Sequence, residues 1–450
     1  MSTLCVTPVQ GPLRGQVRVP SDKSISHRAL IFAALGAGRS RLLRFSYGED
    51  NVSTLRAMRA MGVPIQDDGK GALVVDGVGL DGLREAGELD CGNSGTTMRL
   101  FCGLLGAQPF RSRLIGDASL SSRPMLRVAG PLRERGAIIE GRPHPKRPSD
   151  ITAPLEIGPL AGGHRLKAYE YAMPIASAQV KSALLLSGLY AEGPTVLSEP
   201  TLSRDHTERM LSALGVPLEI RGTSVRLEPP TNRRALSAFE VTLPGDLSSA
   251  AFPLVAAAIV PNSEVTIEGV GLNPTRTGIC DILSAFGVSL QIESEPSPLG
   301  EPTGAVRLAS SGGLLAQRVE GEVAVRAIDE IPIACALAAR AKGRTEFRDI
   351  AELRVKESDR IAVMATVLRA FGVECDEKPD GLVVEGQPDR PLTAARVSSR
   401  GDHRIAMSAA VLGLVAKGTT QIDDAECIAT SFPGFVDVLQ SLGAKLEERS

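Results

Sequence analysis

The sequence predicts an α/β fold in two similar domains, each assembled from three small units. Three observations predict it. A helix-like apolar stretch, a glycine, and a strand-like run opened by Val or Ala recur six times, at Gly62, Gly136, Gly215, Gly287, Gly372 and Gly443. The glycines lie 74, 79, 72, 85 and 71 residues apart, spacings that exceed a short solenoid repeat and suit a compact αβ unit. Val19-Pro-Ser-Asp-Lys-Ser-Ile-Ser26 is echoed by Leu243-Pro-Gly-Asp-Leu-Ser-Ser-Ala250, and three glycine-marked units follow each copy. Finally, Ala/Leu-rich helices such as Ala183 to Leu189, Ala250 to Ile259, Ile331 to Ala341 and Ile405 to Ala416 each precede a short Thr-bearing strand. Helices so rich in small residues pack closely and are expected to be buried on most sides.

Each repeat glycine sits where a helix stops and a strand begins. Before Gly372, Arg360 to Phe371 places apolar residues at helical spacing; after it come Val373-Glu-Cys, a turn at Pro379-Asp-Gly and Leu382-Val-Val-Glu. Glycine there is a natural helix C-cap because it enters the left-handed region cheaply. The echo places two chain crossings near residues 20 and 243. One domain is then 1–20 plus 243–450, and the other is 21–242. Whether the strands form open sheets or closed arrangements does not follow from the pattern.

Bulk composition excludes several function classes. At 450 residues and 43% hydrophobic content the chain can bury two cores. Fifty basic and 52 acidic residues leave a formal charge of −2, against a general nucleic-acid binder. Aromatic residues are 3% and Trp is absent, so base-stacking platforms are not expected. Seven cysteines without CxxC spacing read as reduced thiols, and five scattered histidines give no metal site. A charged start followed by an apolar signal core is missing, and the apolar runs are short, so a cytoplasmic, non-membrane protein is expected.

The chemistry-bearing segments cluster at expected helix starts. Asp22-Lys-Ser-Ile-Ser-His-Arg28 offers hydroxyls, free N-terminal amides, Lys23 and Arg28 to an anion, or is an ordinary capped helix. In Asp90-Cys-Gly-Asn-Ser-Gly-Thr-Thr-Met-Arg99, Gly92 and Gly95 permit close backbone approach, and Thr96 and Thr97 can cap the next helix. Asp117 to Met125 with Arg123, Ala176 to Lys181, and Ser203 to Glu208 are further anion candidates or solvated turns. Asp329-Glu-Ile-Pro332 presents two carboxylates, either of which could cap a helix. In Arg354-Val-Lys-Glu-Ser-Asp-Arg360, Lys356 and Arg360 share a face if the helix has already begun, with Glu357 between them as an acid or a salt-bridge partner. His403, in Asp402-His-Arg404, is a site residue or a satisfied structural histidine. Such termini gathered around one cleft would take a substrate with several anionic groups.

Taken in order, these segments resemble the 5-enolpyruvylshikimate-3-phosphate synthases, a family of enolpyruvyl transferases. Asn273-Pro-Thr-Arg-Thr-Gly278, Leu353 to Arg360, Asp402-His-Arg-Ile-Ala-Met407 and Thr430-Ser-Phe-Pro433 extend the resemblance over essentially the whole chain. It implies two domains of three βαβαββ units each, an inside-out α/β arrangement of six repeats. It also implies transfer of the enolpyruvyl group of phosphoenolpyruvate to the 5-hydroxyl of shikimate 3-phosphate, with release of phosphate and no cofactor or metal.

By the same resemblance Lys23, Arg123, Arg360 and Arg404 hold phosphoenolpyruvate, with the Gly95 backbone and the Gln179 side chain. Ser24 and Arg28 take the shikimate carboxylate, and Ser177, the Ala178 amide and Arg204 take its phosphate. Asp329 and Lys356 reach the ring hydroxyls; Arg99 shapes its loop rather than touching substrate, and Asn93 belongs to the same motif. Asp329 takes the hydroxyl proton, and Lys23 and Glu357 are candidates for proton delivery to and from C3. Glyphosate inhibition and a monomeric state are expected too.

Two features depart from the common pattern: Thr430 stands where many members carry a lysine, and Ala176-Ser-Ala-Gln179 replaces Ser-Ser-Gln, with Arg204 supplying a cation nearby. Together they resemble the divergent glyphosate-tolerant branch, although Gly95 stands where that branch's best-known tolerant form has Ala. The related UDP-N-acetylglucosamine enolpyruvyl transferases typically have Lys-Asn at the first helix and a loop cysteine. Here Lys23-Ser24 occurs instead, with no cysteine between Cys102 and Cys280. A non-catalytic anion-binding protein on the same scaffold would not need Lys23, Asp329 and Glu357 together.

Overall fold

The computed structural model describes residues 2–160, 165–231, 236–310 and 312–449. The chain divides into a terminal unit, residues 1–20, 244–295 and 302–450, and an internal unit, residues 21–243 and 296–301. Each unit contains three four-stranded sheets of one shared topology. An edge strand pairs in parallel with the next strand, and the two remaining pairings are antiparallel. In the internal unit, Glu240–Thr242 runs parallel to Ala37–Leu43, which pairs antiparallel with Ala72–Val78, and that in turn with Ile65–Asp67. In the terminal unit, Arg396–Ser398 runs parallel to Thr420–Asp423, followed by Thr3–Thr7 and Lys445–Arg449 in antiparallel register. The architecture is the mixed α/β fold of repeated βαβ-type units that the resemblance implies.

The glycine pattern has a backbone cause. Gly62, Gly136, Gly215, Gly287, Gly372 and Gly443 all adopt φ between +80° and +108°, where a Cβ is strained. The amide of Gly215 donates to the Ser212 carbonyl and that of Val216 to the Leu211 carbonyl, closing the last helical turn before the chain leaves as a strand.

Each unit is built around three buried helices. They are Lys23–Leu35, Gly95–Leu105 and Ala178–Gly188 in the internal unit, and Leu247–Ile259, Ile331–Ala339 and His403–Gly413 in the terminal unit. Leu247–Ile259 and Ile331–Ala339 are buried at every residue. Helices with no polar face belong at the centre of a core, with sheets outside them. Each core cluster lies within its own unit.

The two echoed segments are the crossings. Arg14–Val17 is an edge strand of the terminal unit, and the chain then enters helix Lys23–Leu35 of the internal unit. Glu240–Thr242 is an edge strand of the internal unit, and the chain then enters Leu247–Ile259 of the terminal unit. Asp22 caps the first helix through the Ile25 amide at 2.8 Å, and Asp246 caps the second through the Ser248 amide at 2.9 Å. Residues 296–301, which sequence reading leaves with 243–450, cluster with the internal unit. Leu299 is buried in that core, and Glu301 meets the buried His206 at 2.8 Å.

Candidate active site

In the internal unit the N-terminal ends of the three buried helices meet. Arg28 ties the first helix to the third and to the following segment. Its Nε donates to Thr207 Oγ1 at 2.7 Å, Nη2 to Ser182 Oγ at 2.7 Å and Nη1 to the Ser24 carbonyl at 2.9 Å. Burial lowers its pKa to about 10, with the nearby Arg204 adding to the fall and Glu208, Asp22 and Glu301 opposing it. Gln179, in the first turn of the third helix, donates to Thr96 Oγ1 at 2.9 Å and accepts from Arg99 at 2.7 Å, joining the second helix to the third. Helix N-termini carry unpaired amides and partial positive charge, so a convergence of three favours anions.

The smaller residues of this array are placed by caps. Ser94, not Thr96 or Thr97, caps Gly95–Leu105 by accepting from the Thr97 amide at 3.1 Å, which sets Gly95 as the first helical residue. A Cβ on Gly95 would stand 2.7 Å from Arg99 Nη1 and 3.1 Å from Arg123 Nη1, so both guanidinium groups lie against the glycine. Arg123 is oriented by Asn93, whose Oδ1 accepts at 2.6 Å, and Asn93 is fixed by Asp117 at 2.6 Å. Arg99, one turn into helix Gly95–Leu105, approaches the Gly95 carbonyl at 3.4 Å with the Nη1 that also donates to Gln179. Ser177 caps Ala178–Gly188, and Arg204 lies half-buried in the segment before His206–Ala213.

Lys23 pairs with Asp50 at 2.9 Å. Burial raises the Asp50 carboxyl, but Lys23 and His27 outweigh it and hold the pKa below the ordinary value. Asn51 donates to the Lys23 carbonyl at 3.0 Å. Sequence reasoning missed Asp50 and Asn51: they lie a helix and a strand away from Lys23 and carry no local motif.

The terminal unit gathers a different set. Arg360, 2 % exposed, donates to Asp402 at 2.8 Å and Glu357 at 2.5 Å and lies 3.4 Å from Asp329. Burial pushes its pKa down, but the three carboxylates together raise it. Lys356 lies 3.9 Å from the same Asp329 oxygen and 2.8 Å from Glu352. Arg404 donates to the Asp329 carbonyl at 2.8 Å. Asp329, Lys356, Glu357, Arg360 and Arg404 are thus brought together.

The helix here begins later than the shared-face reading of Lys356 and Arg360 needs. Asp359 caps Arg360–Ala370, and Lys356 is extended after the short turn Ala351–Val355. The two cations reach Asp329 from different backbone conformations. Glu330, at the cap position of Ile331–Ala339, does not cap it through its side chain and bonds Ser248 instead, deep in the core. His403 is buried, and burial with the nearby Arg404 and Arg360 lowers its pKa to about 3, so it is neutral. Thr430 is half-buried in the turn Ala425–Thr430. The seven cysteines are free thiols.

Among the described residues no three of His, Cys, Asp or Glu gather to hold a metal ion, and no helix is long and apolar enough to cross a membrane.

The sequence profile of EPSP synthase (3-phosphoshikimate 1-carboxyvinyltransferase) matches residues 8–439. The chain belongs to the EPSP synthase family. It is 49% identical over 443 residues to the 3-phosphoshikimate 1-carboxyvinyltransferase of Geobacter sp. (strain M21), covering 98% of this chain and 99% of that one. The enzyme of the same description from Geobacter metallireducens is 49% identical over 446 residues, 99% of this chain and all of the relative. The solved EPSP synthase of Acinetobacter baumannii superposes with a TM-score of 0.90 at 41% identity, over the full length of both chains. On this scaffold the internal unit gathers three helix starts around Arg28 and Gln179, and the terminal unit gathers a carboxylate–guanidinium cluster around Arg360.

Proposed function

We propose that this chain transfers the enolpyruvyl group of phosphoenolpyruvate to the 5-hydroxyl of shikimate 3-phosphate, releasing inorganic phosphate, as a 3-phosphoshikimate 1-carboxyvinyltransferase of the shikimate pathway. The observation that carries the reading at the level of residues is the placement of Asp329 against two cations, Arg360 and Lys356, with Glu357 on the same guanidinium. An anion receptor needs cations; a carboxylate held among them supplies acid–base chemistry.

In this reading the internal unit holds most of the substrate charge. Ser177, the Ala178 amide and Arg204 take the phosphate of shikimate 3-phosphate, and Ser24 and Arg28 its carboxylate. Lys23, Gly95, Arg123 and Gln179 take phosphoenolpyruvate, with Arg360 and Arg404. Asp329 and Lys356 reach the ring hydroxyls. The 5-hydroxyl oxygen attacks C2 of phosphoenolpyruvate as its proton passes to Asp329. C3 gains a proton from Lys23 or Glu357, giving a tetrahedral ketal phosphate. Loss of that C3 proton and cleavage of the C2–O bond to phosphate regenerate the enol ether. Glyphosate, an anion that competes for the phosphoenolpyruvate groups, is the expected inhibitor.

Phosphate release from purified protein given phosphoenolpyruvate, with and without shikimate 3-phosphate, tests the function. Release that needs both, with the enolpyruvyl product confirmed by mass, is expected. Release with UDP-N-acetylglucosamine as acceptor, and none with shikimate 3-phosphate, would overturn it.

A further inference from the structure

Helix Ala178–Gly188 carries a lysine that none of the proposed substrate contacts uses. Lys181 is 3 % exposed and lies between two glutamates, with Nζ 2.6 Å from Glu199 Oε1 and 2.7 Å from Glu208 Oε1; those side chains are 1 % and 3 % exposed. An ammonium and two carboxylates wholly out of water carry a desolvation cost of several kcal/mol per ion. Burial raises the Glu208 pKa even against the pull of Lys181, whereas Lys181 is driven above its ordinary value by the two glutamates in spite of burial. Apolar residues of similar volume would pack such a place at lower cost.

The cluster's contacts show what the ions do there. Glu199 Oε1 accepts from the Ser203 amide at 2.9 Å, and Lys181 Nζ approaches the Ser203 carbonyl at 3.5 Å, so the pair grips both backbone groups of the residue before Arg204. Lys181 itself sits one turn into the helix that Ser177 caps, its amide bonded to the Ser177 carbonyl at 2.9 Å. Glu208 follows Thr207, whose hydroxyl takes Arg28 Nε at 2.7 Å and donates to Ser182 at 2.7 Å. One ammonium therefore joins three pieces of backbone, bearing Ser177, Arg204 and the partner of Arg28.

We infer that Lys181, Glu199 and Glu208 form a positioning cluster for shikimate 3-phosphate, holding the Arg204 segment against the start of helix Ala178–Gly188. None of the three touches substrate. They act through Ser203, Ser177 and Thr207, and the cluster's rigidity keeps two phosphate-binding groups at a fixed separation. The inference rests on the proposed placement of the substrate phosphate at Ser177 and Arg204.

Steady-state kinetics and titration with shikimate 3-phosphate on the full-length chain test it, using Glu199→Gln, Lys181→Met and Arg204→Ala. Glu199→Gln keeps volume and shape while removing the charge, so it reports even if Lys181→Met does not fold. Loss of a charge-assisted contact, worth about 1.5–3 kcal/mol, predicts a KM for shikimate 3-phosphate raised about 10- to 100-fold in Lys181→Met. Glu199→Gln keeps an acceptor for the Ser203 amide and is expected to show a smaller rise, about 3- to 10-fold. The KM for phosphoenolpyruvate should stay within about threefold in both. Lowered melting temperature with an unchanged KM for shikimate 3-phosphate, or an equal rise in both KM values, overturns the positioning role. If Arg204→Ala leaves the KM for shikimate 3-phosphate unchanged, the substrate placement itself fails and the inference falls with it.

Discussion

The two units share one topology and one capped-helix device, yet they treat their arginines in opposite ways. Arg28 and Arg123 of the internal unit are held by hydroxyls, an amide and a carbonyl. Arg360 of the terminal unit is held by Asp402, Glu357 and Asp329. Burial consequently lowers the pKa of Arg28, whereas carboxylates raise that of Arg360. A guanidinium oriented by neutral groups keeps its charge for a ligand. One surrounded by carboxylates divides its charge between them and a ligand, and orients the carboxylates as it does so. On the proposed reading, a duplicated scaffold yields most of the anion-binding groups in one half and, in the other, the carboxylates Asp329 and Glu357 proposed for acid–base chemistry.

The sharpest way to break this contrast is to remove the carboxylate proposed for acid–base chemistry. Asp329→Asn keeps size and much of the hydrogen bonding but cannot take a proton. Turnover is expected to fall by about 10²- to 10⁴-fold, with the KM for shikimate 3-phosphate changed far less. A fall in substrate affinity with turnover preserved would show that Asp329 is only another binding group.

Stability separates the two kinds of arginine. Arg360→Met leaves Asp402 buried beside Glu357 and Asp329 without their cation, a change that costs about 3–5 kcal/mol. Arg123→Met strands no carboxylate, and its stability is expected to stay within about 1 kcal/mol of the parent. Both variants should lose activity. Urea unfolding of the pair checks the prediction, and equal losses of stability would erase the distinction.

How much of this was legible depended on how local each signal is. The repeat glycines could be read because a left-handed φ at a helix end leaves few alternatives to glycine. The capped start of the first echo could be offered because Asp22 acts on an amide only three residues away, whereas the cap at Asp246 was not read and only the echo itself marked that helix start. Each proposed site residue of the terminal unit lay in a motif of charged residues. Asp50 and Glu199 had no such advantage: each meets its lysine only after the chain has folded back. Glu330 was visible as one of two adjacent carboxylates, but the choice between capping and a core contact is made by Ser248, far along the chain. Residues 296–301 lie in a hairpin connection whose sequence shows nothing of the core that Leu299 enters.

In one respect the units should behave alike. Each has a buried histidine at the start of a central helix, His27 and His403, and each has its pKa lowered to about 3. Burial is the main cause in both, with Lys23 and Arg28 adding to it at His27, and Arg404 and Arg360 at His403. The unfolded chain takes up a proton at each below the ordinary value of 6.5, and the folded chain does not until about pH 3. The contribution is therefore full above pH 6.5 and is lost as pH falls toward 3, at about 1.4 kcal/mol per pH unit for each histidine. His27 accepts or donates one bond, to Thr54 Oγ1 at 2.7 Å, which Asn can also make. At pH 5, His27→Asn should take up about one proton fewer on unfolding than the parent. Equal uptake would show that His27 is charged in the fold.

The smallest expected effect concerns selectivity in the internal unit. A methyl at residue 95 would stand 2.7 Å from Arg99 Nη1 and 3.1 Å from Arg123 Nη1. Those atoms are the far ends of flexible side chains, so they can shift; Arg360, fixed by three carboxylates, has no such freedom. Gly95→Ala should therefore fold normally while moving the guanidinium groups and narrowing the space beside the helix start. Glyphosate is longer than phosphoenolpyruvate and loses more from that narrowing. Its inhibition constant is expected to rise about tenfold or more, a difference of about 1.4 kcal/mol, with the KM for phosphoenolpyruvate rising only about two- to fivefold. The ratio of the two changes is the quantity to measure. An unchanged inhibition constant would mean that the inhibitor does not approach Gly95, and the placement of phosphoenolpyruvate against this glycine would have to be abandoned.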